Sequence, residues 1–363
     1  MKWSLNLGKV AGIKLSVHWT FIILIVWIFF IHYRMGHNTQ QALMGVIFIL
    51  ALFVCVTLHE LGHALTAKRF NIVTRSITLL PIGGLAQMEK LPEKPAQELW
   101  VAIAGPLVNV AIAILLYAYL SASNSIPPLI NMEHMQLEGS AFWFNLLLAN
   151  VVLAVFNLIP AFPMDGGRVL RALLAFKFDR SKATRIAAGI GQFLAILFVF
   201  FGFFSNIWLV FIGVFIYLGA GAEATFEATK SILTGHSVKD VMMKQYTILQ
   251  PQDTLEKVVE LLLNGQEQEF VVVENNQVTG VLTRKELIAG LAEYGKQSPV
   301  ANVMRKDFLT LNLKMPLQEV YQKLMANGSS VAPVLDNGKL VGIVDRENIN
   351  ELIMINAAVK PLR

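Results

Sequence analysis

Apolar residues fill the first two thirds of the chain in long runs, whereas the last third changes to short alternating blocks. Six of the runs approach the ~20 residues needed to cross a bilayer: 17–33, 41–67, 99–120, 141–160, 186–204 and 207–222. The first and last are the shortest for the task, so the pattern predicts about six spans. Two segments break the helical rhythm. Residues 4–16 (SLNLGKVAGIKLS) alternate around glycines and read as short strands. Residues 72–88 (IVTRSITLLPIGGLAQM) read as a β-hairpin that turns at Pro81-Ile82-Gly83-Gly84. Backbone polar groups cannot face lipid unpaired, so this hairpin is expected at the membrane interface or against a protein-walled cavity.

The tail repeats itself. A slide of 62 residues carries Asp240-Val241-Met242 onto Asn302-Val303-Met304 and Leu255 onto Leu317. The same slide carries Phe270-Val271-Val272-Val273 onto Ala332-Pro333-Val334-Leu335, and Gly280-Val281-Leu282-Thr283-Arg284 onto Gly342-Ile343-Val344-Asp345-Arg346. Each copy reads as a Val-Met opener, a helix, a buried strand, a turn, a second strand and a helix. The expected division is a membrane-embedded domain at 1–229 and a soluble α/β tandem repeat at 230–363, with copies at about 235–295 and 297–357.

Charge sharpens this picture. Hydrophobic residues make up 55% of the chain and charged residues 15%, which excludes disorder, a coiled coil and an all-soluble globule. The net +5 belongs wholly to 1–229, with 15 Lys+Arg against 10 Asp+Glu; the tail balances at 15 each. That excess reports membrane topology rather than nucleic-acid binding, and no nucleic-acid partner is expected. Fourteen basic residues lie in the N-terminal arm (from Lys2), the 68–98 connection (including Lys90) and the 165–185 connection. The alternate connections hold only Arg34. The positive-inside rule then places both termini and the tail on the cytoplasmic side of the plasma or inner membrane. The first run is too long for a cleaved signal peptide and no small-residue cleavage site follows it. The single cysteine, Cys55, excludes a disulfide framework.

The strongest chemical signal is His59-Glu60-Leu61-Gly62-His63. Residues four apart share a helix face, so the two imidazoles can bind one metal ion. Glu60 stands one step round the helix, within reach of a proton on a metal-activated water. Zinc suits such nitrogen and oxygen donors, and a catalytic site keeps one position open for water. The motif lies inside an apolar span, where ionisable residues are costly and mark function. A third ligand is required, and Asp165 is the only Asp in the first 178 residues. It follows the fourth run within Asn157-Leu158-Ile159-Pro160-Ala161-Phe162-Pro163-Met164-Asp165-Gly166-Gly167-Arg168. Topology lets it lie at a similar depth to the histidines, near the cytoplasmic ends of their spans, while a helix cap or turn role stays open for it.

These pieces resemble the site-2 protease family of intramembrane zinc metalloproteases. The resemblance rests on HELGH at 59–63, Gly105-Pro106-Leu107-Val108-Asn109 in the next span, and NLIPAFPMDGGR at 157–168. It implies that His59, His63 and Asp165 bind zinc and that Glu60 is the general base. It also implies that Asn157, Pro160 and Pro163 help position substrate; an interhelical hydrogen bond is the other reading of Asn157 and of Asn109. The hairpin, with Gly83 and Gly84 at its turn, offers a strand edge to an unwound substrate. The tail resembles a tandem cystathionine-beta-synthase (CBS) pair, and the combination resembles the subgroup of the sporulation sigma-factor processing protease. The resemblance implies a single-pass membrane protein as substrate, regulated intramembrane proteolysis, and an adenosine nucleotide or homodimerisation at the CBS pair. Nucleotide-binding units carry Ser/Thr followed three residues later by Asp; here Thr283 is followed by Glu286, and the second copy has Asp345 and Asn348.

A CBS-gated transport or metal-handling protein without proteolytic activity is the competing function. His18, His37, His134 and His236 read as packed or loop histidines, Cys55 as core, and the Phe-rich 193–204 stretch as lipid-facing or core packing.

Overall fold

The structure, a computed structural model, describes residues 4–36, 39–81, 83–88, 92, 94–126, 140–265 and 268–359. Lys2, His37, Ile82, Lys90 and His134 lie outside the described residues. The chain divides into two compact units, Met1–Thr225 and Phe226–Arg363.

The first unit opens with β1 (Ser4–Val10) and β2 (Ile13–His18), joined at Ala11 and Gly12, both of which have positive φ. That is the two-residue turn whose twist matches paired strands. Helices α1 (Thr20–Gly36) and α2 (Thr39–Arg69) follow, then β3 (Thr74–Leu80) and β4 (Gly83–Met88). The two expected strand pairs are one sheet, ordered β1-β2-β3-β4. Strands β2 and β3 run parallel, from Lys14 opposite Ser76 to Val17 opposite Leu79. A parallel pair needs a long crossover, and α1 with α2 supplies it. One sheet face packs on these helices through Ile13, Ile77, Leu79, Phe21, Phe53, Leu61 and Ala64.

Next come α3 (Pro95–Ala122), α4 (Ser140–Asn157), α5 (Asp165–Leu174), α6 (Arg180–Ser205) and α7 (Ile207–Leu233). Among the described residues, α2, α3, α6 and α7 are long and apolar enough to cross a membrane; α1 and α4 are shorter apolar helices. Phe193, Phe200, Phe203 and Phe204 are exposed, which suits contact with lipid. The expected connection at 165–185 is corrected by the structure: α5 occupies its first half, with Asp165 at its N-terminus. Its glycines and scattered charges hid the helix, because α5 is held by burial on both sides rather than by propensity. Cys55 is buried against Phe142 and Leu146, as a core thiol should be.

The second unit repeats at the predicted spacing. The first copy holds a 3-10 turn at Val238–Asp240, β5 (Ile248–Leu249), α8 (Leu255–Asn264), β6 (Glu269–Glu274), β7 (Gln277–Thr283) and α9 (Arg284–Tyr294). The second holds a 3-10 turn at Val300–Asn302, β8 (Leu311–Asn312), α10 (Leu317–Asn327), β9 (Val331–Asp336), β10 (Lys339–Asp345) and α11 (Arg346–Val359). All but the two-residue strands start 62 residues apart. The copies exchange their openers: Met243 bridges to Ile343, and Arg305 to Val281. A Cβ at Gly280 would meet Met304 and one at Gly342 would meet Met242, which explains the glycine that opens each second strand.

Candidate metal centre

Helix α2 carries residues 55, 59, 63 and 67 on one buried face. The two imidazoles from that face point at the same place, and Asp165 reaches it from the first turn of α5. His59 Nε2 and His63 Nε2 lie 3.1 Å apart. Asp165 Oδ2 lies 3.2 Å from the first and 3.1 Å from the second. Among the described residues this is the one group of three or more such side chains with the spacing of a metal site.

The rings are held from behind. His63 Nδ1 faces the Val101 carbonyl at 2.6 Å, and His59 Nδ1 faces Asn109 Oδ1 at 2.5 Å. Asn109 in turn donates to Asn150 Oδ1 at 2.9 Å, and Asn150 donates to the Leu146 carbonyl at 2.8 Å. Both Nδ1 atoms therefore carry the ring proton, and both Nε2 lone pairs aim at the Asp165 carboxylate. Three lone-pair donors facing one another in a dry site repel unless a cation lies among them. Zinc with bonds of 2.0–2.2 Å in tetrahedral geometry needs ligand atoms about 3.3–3.5 Å apart, close to the 3.1–3.2 Å found. The residues fit the ion.

Glycines keep the space open. A Cβ at Gly105 on α3 would run into His63 Nε2 and lie 2.7 Å from His59 Nε2. Gly166 and Gly167 let the 158–164 backbone wrap the start of α5; a Cβ at 167 would lie 2.6 Å from the Ala161 carbonyl carbon. Gly62 lets α2 approach α3, with Ala104 O only 2.9 Å from where its Cβ would stand. Glu60 is half-buried beside the trio. Strand β4 passes directly over it: a Cβ at Gly84 would lie 2.5 Å from Glu60 Cγ and 3.0 Å from Glu60 Oε1.

Comparison with known proteins gives the chain a family. The pattern for Peptidase family M50 matches residues 47–128 and 121–201, and the CBS domain pattern matches 238–293 and 300–355. Zinc metalloprotease MJ0392 of Methanocaldococcus jannaschii is 36% identical over 350 residues, covering 96% of this chain and 96% of that protein. The chain belongs to peptidase family M50. Stage IV sporulation protein FB of Bacillus subtilis is 32% identical to this M50 chain over 139 residues, which is 38% of the chain and 44% of that protein. A solved site-2 protease from Methanocaldococcus jannaschii is 41% identical, covers 61% of this chain and 95% of its own, and superposes with a TM-score of 0.44.

The other expected site residues are more scattered. Asn157 ends α4 and donates to the Leu153 carbonyl of its own helix at 2.9 Å, not across helices. Pro160 and Pro163 are exposed in the 158–164 segment, where Pro163 faces Gly219 of α7. Gly83 has a φ of 134°, open only to glycine without strain, and begins β4. Thr283 caps α9, accepting from the Lys285 N–H and donating to the Glu286 carboxylate. Beside it in the second unit is a cavity of about 700 Å³, lined by Glu269, Arg284, Asp345, Glu347, Asn348 and Glu351 but not by Thr283. Burial pushes the Glu269 carboxyl up to about 7, helped by Asp345 and Glu286 and opposed by Ser330 and Arg346.

Sequence reasoning did not foresee Asn150 or the Val101 carbonyl as supports of the histidines. An asparagine within the otherwise apolar 146–156 stretch was the available signal for the first; a backbone carbonyl leaves none.

Proposed function

We propose that this M50 chain is an intramembrane zinc metalloprotease that cleaves a peptide bond in or near the transmembrane segment of a membrane-bound regulatory protein. The observation that carries the reading is the buried His59, His63 and Asp165 trio with Glu60 beside it. In this reading His59, His63 and Asp165 hold the zinc. The ion, when bound, polarises the scissile carbonyl and makes a water acidic enough to lose a proton near neutral pH. Glu60 accepts that proton and returns it to the departing amine. Asn109 and the Val101 carbonyl keep both rings in the tautomer that leaves Nε2 free for metal.

A transmembrane helix has its carbonyls bonded internally, so a substrate must unwind before it reacts. Strand β4 is an edge of its sheet and runs over Glu60. Its outer edge takes up the unwound segment as an added strand, which sets a peptide carbonyl next to the base. In the same reading Asn157, Pro160 and Pro163 help to position the substrate, as the family resemblance implies. The positive-inside pattern of the basic connections supports a site near the cytoplasmic face of the membrane, with both termini and the CBS pair in the cytoplasm.

The CBS pair is proposed to regulate by association into a homodimer. Four carboxylates line its cavity and oppose an anionic phosphate there; the Thr283 hydroxyl is already engaged. An adenosine nucleotide at this pair is the second reading, and a binding titration with the nucleotide separates the two. A transport function is less well supported, because Glu60 beside the trio has no duty in a static ion site.

The Glu60→Gln variant tests the enzyme reading. It keeps one zinc per chain, loses proteolysis, and lets one uncut membrane protein accumulate among the membrane peptides of its cell. Cleavage that continues in this variant removes Glu60 from the mechanism.

A further inference from the structure

Away from the metal, the described part of the first unit buries a second set of charges. Arg171 on α5 is only 1% exposed. Its Nε donates to Glu98 Oε1 at 2.8 Å and its Nη2 lies 2.5 Å from the same oxygen. Its Nη1 donates to Glu223 Oε1 on α7 at 2.5 Å, and its guanidinium lies over the Phe162 ring, 5.0 Å from the centroid. Arg180 at the start of α6 completes the set, donating to Glu98 Oε2 at 2.6 Å and to the Pro92 carbonyl at 3.0 Å. Among the described residues, Glu98 and Glu223 face these two arginines.

The placement of these groups matters more than their number. Glu98 stands one turn before Val101 on α3, the helix that also supplies Gly105 and Asn109. Arg171 stands six residues after Asp165 on α5, about 9 Å along the helix. The Arg171–Glu98 contact therefore fixes the helix that carries the third ligand against the helix that orients both histidines. The Arg171–Glu223 contact fixes the same helix against α7, one turn from where Gly219 meets Pro163. A shift of α5 against α3 moves Asp165 Oδ2 relative to both Nε2 atoms. A guanidinium is suited to this task, because its planar fork engages two carboxylates in fixed directions where an ammonium cannot.

We propose that Arg171 is a positioning residue of the metal centre, holding Asp165 at coordinating distance from His59 and His63 through its paired contacts with Glu98 and Glu223. This rests on the metalloprotease reading above.

The experiment uses the full chain in detergent, loaded with zinc or with cobalt(II), and compares the wild type with Arg171→Met, Arg171→Lys and Glu223→Gln. Zinc retained against EDTA reports affinity, and the cobalt visible spectrum reports coordination geometry. Partners that orient ligands typically change metal affinity by about 10–100-fold. Arg171→Met is expected at the upper end of that range with an altered cobalt spectrum. Glu223→Gln is expected at the lower end, and Arg171→Lys between them, as partial rescue. An Arg171→Met chain that folds with wild-type zinc retention and cobalt spectrum overturns the proposal. If Arg171→Met does not fold, a wild-type spectrum and retention in Arg171→Lys overturns it. A zinc-replete wild type with these outcomes leaves the enzyme reading standing, whereas a wild type that binds no zinc overturns both.

Discussion

Replacing Gly105 by alanine separates the metal centre from the fold that carries it. The added Cβ would collide with His63 Nε2, lie 2.5 Å from His63 Cε1 and lie 2.7 Å from His59 Nε2. The rings cannot give way freely, because each is pinned at Nδ1, His63 by the Val101 carbonyl and His59 by Asn109. Moving both rings breaks two buried hydrogen bonds, at about 1–3 kcal/mol each. The total of about 2–6 kcal/mol corresponds to zinc affinity lower by roughly 30-fold to 20,000-fold. The helix itself responds with the opposite sign, since alanine favours an interior helical position by about 1 kcal/mol over glycine.

The two effects can be read in one assay. Thermal unfolding of the detergent-solubilised chain is followed with and without zinc, alongside zinc content after EDTA. Zinc at a thousandfold excess over its dissociation constant stabilises the wild type by about 4 kcal/mol. The Gly105→Ala chain is expected to gain little from zinc, and its metal-free midpoint carries both the helix gain and the cost of displacing the rings. Full zinc retention in this variant refutes the placement of the ion between the two Nε2 atoms.

Two further outcomes follow from the same geometry. Gly84→Ala places a methyl 3.0 Å from Glu60 Oε1 and closer still to its Cγ; proteolysis is expected to fall at least about tenfold, within the ~10²–10⁴ that a general base contributes, with zinc content unchanged, and wild-type cleavage removes β4 from the site. In the second unit, Glu269 has its pKa raised from 4.5 to about 7, so its contribution to stability is complete below about pH 4.5 and is lost as pH rises through about 7. The loss is at most about 3 kcal/mol, reduced by solvent in the cavity. Glu269→Gln is expected to flatten the change in that unit's unfolding midpoint between about pH 5 and about pH 7.5, and equal slopes in both chains contradict the assignment.

What the sequence disclosed follows physical range. Local periodicity announced β1, β2, the hairpin and the long apolar helices, because each pattern is written in contiguous residues. The 62-residue slide matched nearly every element of the second unit, since two copies of one sequence fold alike. The His59 and His63 pair was legible because helical spacing alone brings those rings together. Asp165 was legible for a different reason: a lone carboxylate at the end of an apolar run needs a purpose. Sheet order was not legible, because the parallel pairing of β2 with β3 depends on how α1 and α2 fold back. Helix α5 was hidden because Gly166, Gly167 and two arginines weaken its pattern, and tertiary contacts hold it: Arg171 with Glu98 and Glu223, Leu170 and Leu174 against Phe162, Ala187, Ala188 and Ala220, and the wrapped 158–164 backbone. Asn109 was visible as a motif residue, but its bond to His59 became apparent only when α3 was set against α2.

The assignment of labour among the helices follows from that packing. Along the buried face of α3, Glu98, Val101, Ala102, Gly105 and Asn109 follow one another at helical spacing. In order they anchor Arg171, orient His63, admit close packing, leave room for the ion and orient His59. Pro106 lies within this stretch; it removes the backbone donor that the Ala102 carbonyl would take and crowds that turn, beside the Val101 carbonyl that accepts from His63. The donors on α2 thus have every second contact answered by α3, and the carboxylate on α5 is tied to the same helix through Arg171. A polar site within an apolar slab is stable only if each buried donor and acceptor is paired. Here one helix does most of that pairing, so substitutions on α3 should disturb metal affinity more than equally conservative substitutions on the lipid-facing side of α2.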